Sequence, residues 1–336
     1  MRYKNYNRLI REILSNMINY LLRRVYLLCI TAFILTLIAF TLEHLTVHTQ
    51  IIDNTFTHYL EYLMAIFKGD FGVSSVDNQP IFHTGLVAFA STLELCFFAF
   101  LIASIIGVPL GVFAGLERNN GLDYSIMTVA LIGLALPVFW VAIIFTILPN
   151  ALGWLMPIDG NISPIFEVPI VTGFLFVDSL LVTQKYQFDA FINHMTHLIL
   201  PSSVLAIFLI SEIIRLTRHA ITMVMKSNYI KAALTKGLTR RQIVFQHVLK
   251  NAFPPIIHQL RLQISTIISF SMAIEIVFSY QGAGTWLFAS IQQEDYLVLS
   301  SAILIISGFI LISSILIDLL LVVISPTKRK SLYADQ

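Results

Sequence analysis

Charge is what this 336-residue chain lacks most. Asp, Glu, Lys and Arg together make up 12% of it, where an ordinary soluble domain carries about 25%. Hydrophobic types reach 57%, and the mean hydropathy is +0.81. No single soluble core hides that much apolar surface, so the excess must face lipid. Disorder is excluded because so apolar a chain does not stay solvated. There are only two cysteines, Cys29 and Cys96. They provide no disulfide scaffold, and both lie in apolar runs where they read as small buried hydrophobes. A net charge of +2 gives no basic field for nucleic acid. Also absent are a G-x-x-x-x-G-K-[ST] phosphate loop and an H-E-x-x-H zinc motif. The pairs His44 with His48 and His194 with His197 are too few for a diiron centre and read as interfacial residues. No nucleophile–base spacing stands out, so neither catalytic nor metal-binding residues are expected.

What is present is a series of long apolar runs. Six are long enough to span a bilayer: Val25–Leu45, Leu93–Ala114, Ser125–Leu148, Leu198–Leu216, Ile256–Phe278 and Val298–Ile324. Val168–Val182 is shorter, holds Pro169, Gly173 and Asp178, and reads as extramembrane or partly inserted. The first run is too long for a signal-peptide core and no small-residue cleavage site closes it. With the N-terminus inside, the cytoplasmic segments 1–24, 117–124, 217–255 and 325–336 hold 17 of the 21 Lys and Arg residues, which sets the orientation and places both termini in the cytoplasm. The outer segments 46–90 and 149–197 are mildly acidic. Solubility explains that, and so does attraction of cationic solutes or a partner.

Within the runs, Gly107, Gly111 and Gly115 recur on one helix face and let a neighbour approach closely. Pro109 and Pro137 each remove a backbone donor and kink their helices. Gly107, Pro109, Gly111 and Pro137 are therefore packing or hinge candidates. Four acids lie in or beside spans. Glu94 is near an interface and within reach of water. Glu212, Glu275 and Asp318 are costlier to bury, and are candidates for a translocation pathway, although Glu212 also stands three residues before Arg215, the spacing of a same-helix pair.

The most informative stretch runs from Asn228 to Pro255. It reads as a short helix with Asn228 as N-cap, a stop at Gly237 in the left-handed conformation, and a second helix opened by a Thr239–Gln242 capping box. This polar, basic hairpin suits docking of another protein. Its sequence resembles the A-A-x-x-x-G coupling loop of ABC importer permeases, in the form Y-I-K-A-A-x-x-K-G-L-T of the dipeptide and oligopeptide branch. Leu22-Leu-Arg-Arg24, Thr92-Leu-Glu-Leu95, Gly107-Val-Pro-Leu-Gly111, Pro137-Val-Phe-Trp140, His197-Leu-Ile-Leu-Pro201, Val277-Phe-Ser279 with Gly282-Ala-Gly284, and Asp318 match that branch in order. Asp70-Phe-Gly-Val-Ser-Ser75 with Gln79-Pro-Ile81 is similar to the Sap branch, named for sensitivity to antimicrobial peptides. Lys231 replaces the motif's glutamate, and Tyr280-Gln281 replaces the usual Trp-Pro before Gly282.

The resemblance implies an all-α, six-span type I permease of a bacterial inner membrane. Residues 25–90 would form the first span and a periplasmic segment, and residues 91–324 the transport core. Ala232, Ala233, Gly237, Thr239 and Arg240 would couple it to ATPases. The implied partners are a second homologous permease, two cytoplasmic ATPases holding ATP and Mg, and a periplasmic solute-binding protein, with no cofactor on this chain. Peptides are the implied solute. Haem or a polyamine such as putrescine, carried inward or outward, is the alternative within transport. An ion-coupled secondary transporter and a non-transporting scaffold are alternatives of other classes.

Overall fold

The computed structural model describes residues 26–43, 55–181 and 187–324. The expectations for residues 1–24, His44, His48 and 325–336 lie outside them. Regular structure among the described residues is helical, apart from one antiparallel bridge between Val73 and Pro80. The helices are α1 (Tyr26–Glu43), α2 (Thr55–Phe67), α3 (Ile81–Leu116), α4 (Gly121–Ala135), α5 (Val138–Leu152), α6 (Leu175–Leu181), α7 (Gln187–Met225), α8 (Asn228–Thr235), α9 (Arg240–Leu262, π-helical over Ile243–Val248), α10 (Ile264–Val277), α11 (Ala283–Gln292) and α12 (Tyr296–Ile324).

Four helices, α1, α3, α7 and α12, are long and apolar enough to cross a membrane unbroken. The expected third and fifth spans are each a bent pair: α4 meets α5 at 94° and α9 meets α10 at 52°. Six spans result when each pair counts as one. The first bend is more than the expected kink. Leu136 is extended, with ψ 129°, as a residue before proline prefers. Pro137 is extended too, with ψ 125°, and a new helix starts after it. Pro109, by contrast, sits inside an uninterrupted α3.

The centre of the bundle is α3 against α7. Methyl groups built on Gly107, Gly111 and Gly115 would stand 3.0, 2.6 and 2.7 Å from Ile213, Thr217 and Ile221 of α7. The rising order of those partners makes the two helices parallel. Ala99 and Ala103 extend the same buried stripe. At 1.5 Å per residue, the 36 residues of α3 set the ends of the bundle roughly 50 Å apart. One end carries α8, α9 and the α3–α4 turn. The other carries the 70–80 hairpin, the 153–174 loop and α11, with Gly85 close enough to Trp286 that a methyl there would stand 2.7 Å from its ring.

Cys96 is partly buried, whereas Cys29 is exposed. The expectation of two buried thiols thus fails at Cys29, because α1 turns most of its surface away from the chain.

Candidate functional site

The hairpin at the α8 end is built as its sequence spells it. Ser227, not Asn228, is the N-cap residue of α8, and no side-chain cap bond forms there. At the other terminus Gly237 has φ +79°. The Leu238 N–H donates to the Ala233 carbonyl at 3.3 Å and the Gly237 N–H to Leu234 at 3.0 Å, a Schellman closure. Thr239 and Gln242 then form a reciprocal capping box, with Gln242 Oε1 accepting from the Thr239 N–H at 2.9 Å.

The two adjacent alanines do different jobs. Ala233 is buried in a cluster with Ile221, Ile230, Ile243, Val248 and Ala252. Ala232 is exposed. Neighbouring positions on a helix lie about 100° apart, so both cannot present the same face. Gly237, Thr239 and Arg240 are exposed as well. Tyr229 and Leu234 of α8 are bare too, 44% and 55% exposed. Arg240 reaches back to the α3–α4 turn, where its Nη2 lies 2.7 Å from Glu117 Oε1 and 3.4 Å from the Leu116 carbonyl.

The intramembrane acids are all engaged by this chain where they are described. Glu212 pairs with Arg215 as the spacing foretold, Oε2 to Nε at 3.0 Å. It also accepts from Gln263 Nε2 at 3.1 Å, which fastens the α9–α10 bend to α7. Glu275, fully buried, accepts from Thr92 Oγ1 at 2.7 Å and from the Gly284 N–H at 2.7 Å. Thr92 Oγ1 in turn accepts from the Ala283 N–H at 2.8 Å. The free donors at the start of α11 are thus capped from α3 and α10. This explains Gly282-Ala-Gly284, since a methyl on Gly282 would collide with the Glu275 carboxylate and one on Gly284 would stand 2.5 Å from the Met272 Cα. The side chain of Asp318 lies outside the described residues.

At the other end, residues 168–181 form a loop closed by α6. Asp178 accepts from the Thr172 N–H at 2.8 Å, Thr172 Oγ1 at 2.7 Å, the Gly173 N–H at 3.0 Å and the Val171 N–H at 3.2 Å. Burial pushes its carboxyl up, but these bonds outweigh burial and hold it below the usual carboxylate range. Between this loop, the outer half of α3 and α11 lies a cavity of about 720 Å³, walled by His83, Val87, Phe166, Gln281 and Trp286 among others.

Two buried polar pairs were missed by sequence reasoning. Glu94 does not reach water. It is 4% exposed, and its Oε1 lies 2.6 Å from Nε2 of His194, which is itself wholly buried. Asp123, also wholly buried, is gripped by Arg218. The partners are 100 and 95 residues apart, and neither spacing leaves a local signal. His197 is likewise buried, with Nδ1 2.9 Å from the Asn193 carbonyl.

Comparison with known proteins agrees with this geometry. Residues 107–330, two thirds of the chain, match the family described as binding-protein-dependent transport system inner membrane component. The chain is 37% identical over 320 residues to the putrescine export system permease protein SapB of Escherichia coli K12, covering 95% of this chain and 99% of that protein. Identity and coverage are the same for the peptide transport system permease protein SapB of Salmonella typhimurium. The di/tripeptide transport system permease protein DppB of Pseudomonas aeruginosa is 33% identical, covering 82% of this chain and 81% of its own. Among solved structures, an inward-facing MetNI methionine ABC transporter matches with TM-score 0.53 at 15% identity, over 72% of this chain and 96% of that one, so the two share the type I importer permease fold. The chain belongs to the binding-protein-dependent transport system inner membrane component family, the membrane-spanning permeases of ABC transporters.

Proposed function

We propose that this chain is one permease subunit of an ATP-driven peptide transporter in a bacterial inner membrane. It pairs with a second homologous permease and two cytoplasmic ATPases that hold ATP and Mg, and it receives solute from a periplasmic binding protein. The observation that carries the reading is α8. The Ile230 and Ala233 face of this short helix is packed onto α7 and α9, and Tyr229, Ala232 and Leu234 are left bare around it at the basic end of the bundle. A helix of eight residues gains little from propensity alone, and its exposed positions mix Tyr229, Ala232 and Leu234 with Asn228, Lys231 and Thr235, so this short element reads as built to be covered by a partner. The cation distribution puts this end, and both termini, in the cytoplasm.

Peptides are the favoured solute because relatives named for peptide transport are 37% and 33% identical to this chain along most of its length. The outer cavity, at about 720 Å³, falls within the range of small-molecule sites and mixes apolar walls with polar groups, as a peptide requires. Within this reading Glu275 and Glu212 hold the frame and do not touch solute, since donors of the same chain occupy their oxygens. Putrescine is the second reading, carried by the name of an equally similar relative.

The deciding experiment is transport by the purified complex in proteoliposomes. ATP-dependent movement of labelled peptides with none of putrescine supports the proposal. Movement of putrescine alone overturns the solute, and absence of any ATPase from the purified complex overturns the subunit assignment.

A further inference from the structure

The Glu94–His194 pair is short, buried and a hundred residues apart in sequence, and the transport reading makes no use of it. Its hydrogen-bond partners dictate its proton count. His194 Nδ1 lies 2.8 Å from the main-chain carbonyl of Asn161, which can only accept, so Nδ1 carries a hydrogen. His194 Nε2 lies 2.6 Å from Glu94 Oε1. At that distance one proton must stand between them, on the imidazole or on the carboxyl, because a lone pair facing a carboxylate oxygen repels it. Glu94 Oε1 also accepts from the Phe176 N–H at 3.0 Å.

We propose that Glu94 and His194 form a site for one exchangeable proton, and that its occupancy latches the outer end of the bundle. Four segments meet at the pair. Glu94 comes from α3 and His194 from α7. Phe176 opens α6. Asn161 belongs to the outer loop and also clasps the α10–α11 turn, its Nδ2 donating to the Gln281 carbonyl at 3.2 Å and its Oδ1 accepting from the Gln281 N–H at 2.5 Å. Release of the proton to solvent leaves Nδ1–H on Asn161, a bare Nε2 and a carboxylate, and the contact turns repulsive. No other covalent bond forms or breaks.

Glu94 Oε2 is buried without a partner, as is the hydroxyl of the wholly buried Tyr280. Glu94 and Glu275 are the carboxylates whose charge reaches that phenol. The unused Tyr280 hydroxyl is the donor the carboxylate takes once His194 no longer holds it. The other titratable groups around the pair are committed or outside. Asp178 of α6 is occupied by the 171–173 backbone, His197 by Asn193 and Glu275 by Thr92 and Gly284. Asp159 and Asp189 are exposed, and α5 carries no titratable side chain.

The test is amide exchange at Phe176 and Gln281 in the full chain, assembled with its partner subunits in nanodiscs, across the pH range in which the complex stays assembled. Rates are corrected for the intrinsic effect of pH. Local opening reports directly on these two hydrogen bonds, and protection in the wild type should fall about tenfold across that range. Glu94→Gln puts an amide N–H where the shared proton stood; it donates to Nε2 at every pH but no longer accepts from Phe176, so its profile should be flat, protected at Gln281 and open at Phe176. His194→Gln removes the ring and should also flatten the profile, at lower protection. A flat wild-type profile overturns the proposal, as does a fall of wild-type size in either variant. Neither result bears on the transport reading, because the exchange measurement involves no solute.

Discussion

Arg218 of α7 clasps Asp123 of α4 through two parallel bonds, Nε to Oδ1 at 2.5 Å and Nη2 to Oδ2 at 2.7 Å. Asp123 is wholly buried and also caps the Asn119 N–H at 2.9 Å, so one carboxylate fixes the α3–α4 turn and the α4–α7 contact together. The guanidinium stays partly open to solvent, which lowers the desolvation penalty of the pair. Removing the cation while keeping the buried acid is therefore the damaging change.

Arg218→Gln should destabilise the chain by about 3 kcal/mol, whereas Asp123→Asn with Arg218→Gln should cost less than the sum of the two single changes. Thermal unfolding of the four proteins in detergent checks this. Additive effects would show that the pair is not coupled.

At the coupling hairpin the two alanines should part company. Ala232→Trp is expected to leave membrane insertion and unfolding unchanged while reducing ATPase co-purification. Ala233→Trp should instead overpack the chain's own cluster at about 1–3 kcal/mol, lowering thermal stability even in the isolated permease. Equal behaviour of the two variants would contradict the outward and inward faces seen here.

Gly237 has φ +79° with nothing within 4 Å of a built methyl, so crowding plays no part. Gly237→Val should cost about 1–2 kcal/mol through backbone strain alone, and Gly237→Asn, which tolerates the left-handed region, much less. The readout is ATPase association measured side by side for the two variants.

Gly284→Ala is expected to displace Glu275 from the start of α11 and destabilise by about 1–3 kcal/mol. Shortening the acid in the double variant Gly284→Ala with Glu275→Asp should recover part of the loss if the oxygen is what the methyl strikes. No recovery would place the clash at the Met272 backbone alone.

The Asp178 loop should be sensitive to acid. Its carboxyl is held below the usual carboxylate range, so the ionised form is favoured in the folded loop. That contribution is complete above the ordinary aspartate pKa and fades as the pH falls through the lowered one. Asp178→Asn should abolish the acid sensitivity while loosening the loop at neutral pH. Proteolysis between residues 168 and 182 as a function of pH measures both.

Much of the architecture was legible because it is written locally. The glycine ladder of α3, the Gly237 stop, the Thr239–Gln242 box and the Glu212–Arg215 pair all depend on neighbours within one or two helical turns, and each stands where its spacing put it. The run at 168–182 needed more than composition, since only the four donors converging on Asp178 show why it closes into a loop. The six-span count survived only in modified form. A proline inside an apolar run can bend a helix or end it, and packing of α4 on α7 and of α5 on α10 decides which.

The sequence by itself determined the lipid-facing character, the number of apolar runs, the segregation of cations and the hairpin of α8 and α9, because hydropathy, charge bias and capping act over short distances. Only the tertiary structure decided which buried polar groups meet. Glu94 finds His194, Asp123 finds Arg218 and Glu275 finds the start of α11, across 100, 95 and 9 residues. Such pairs have no period and no local spacing. They exist because a buried charge or free helix terminus must be satisfied by whatever the fold brings beside it, and the parallel packing of α3 on α7 brings the first of these together.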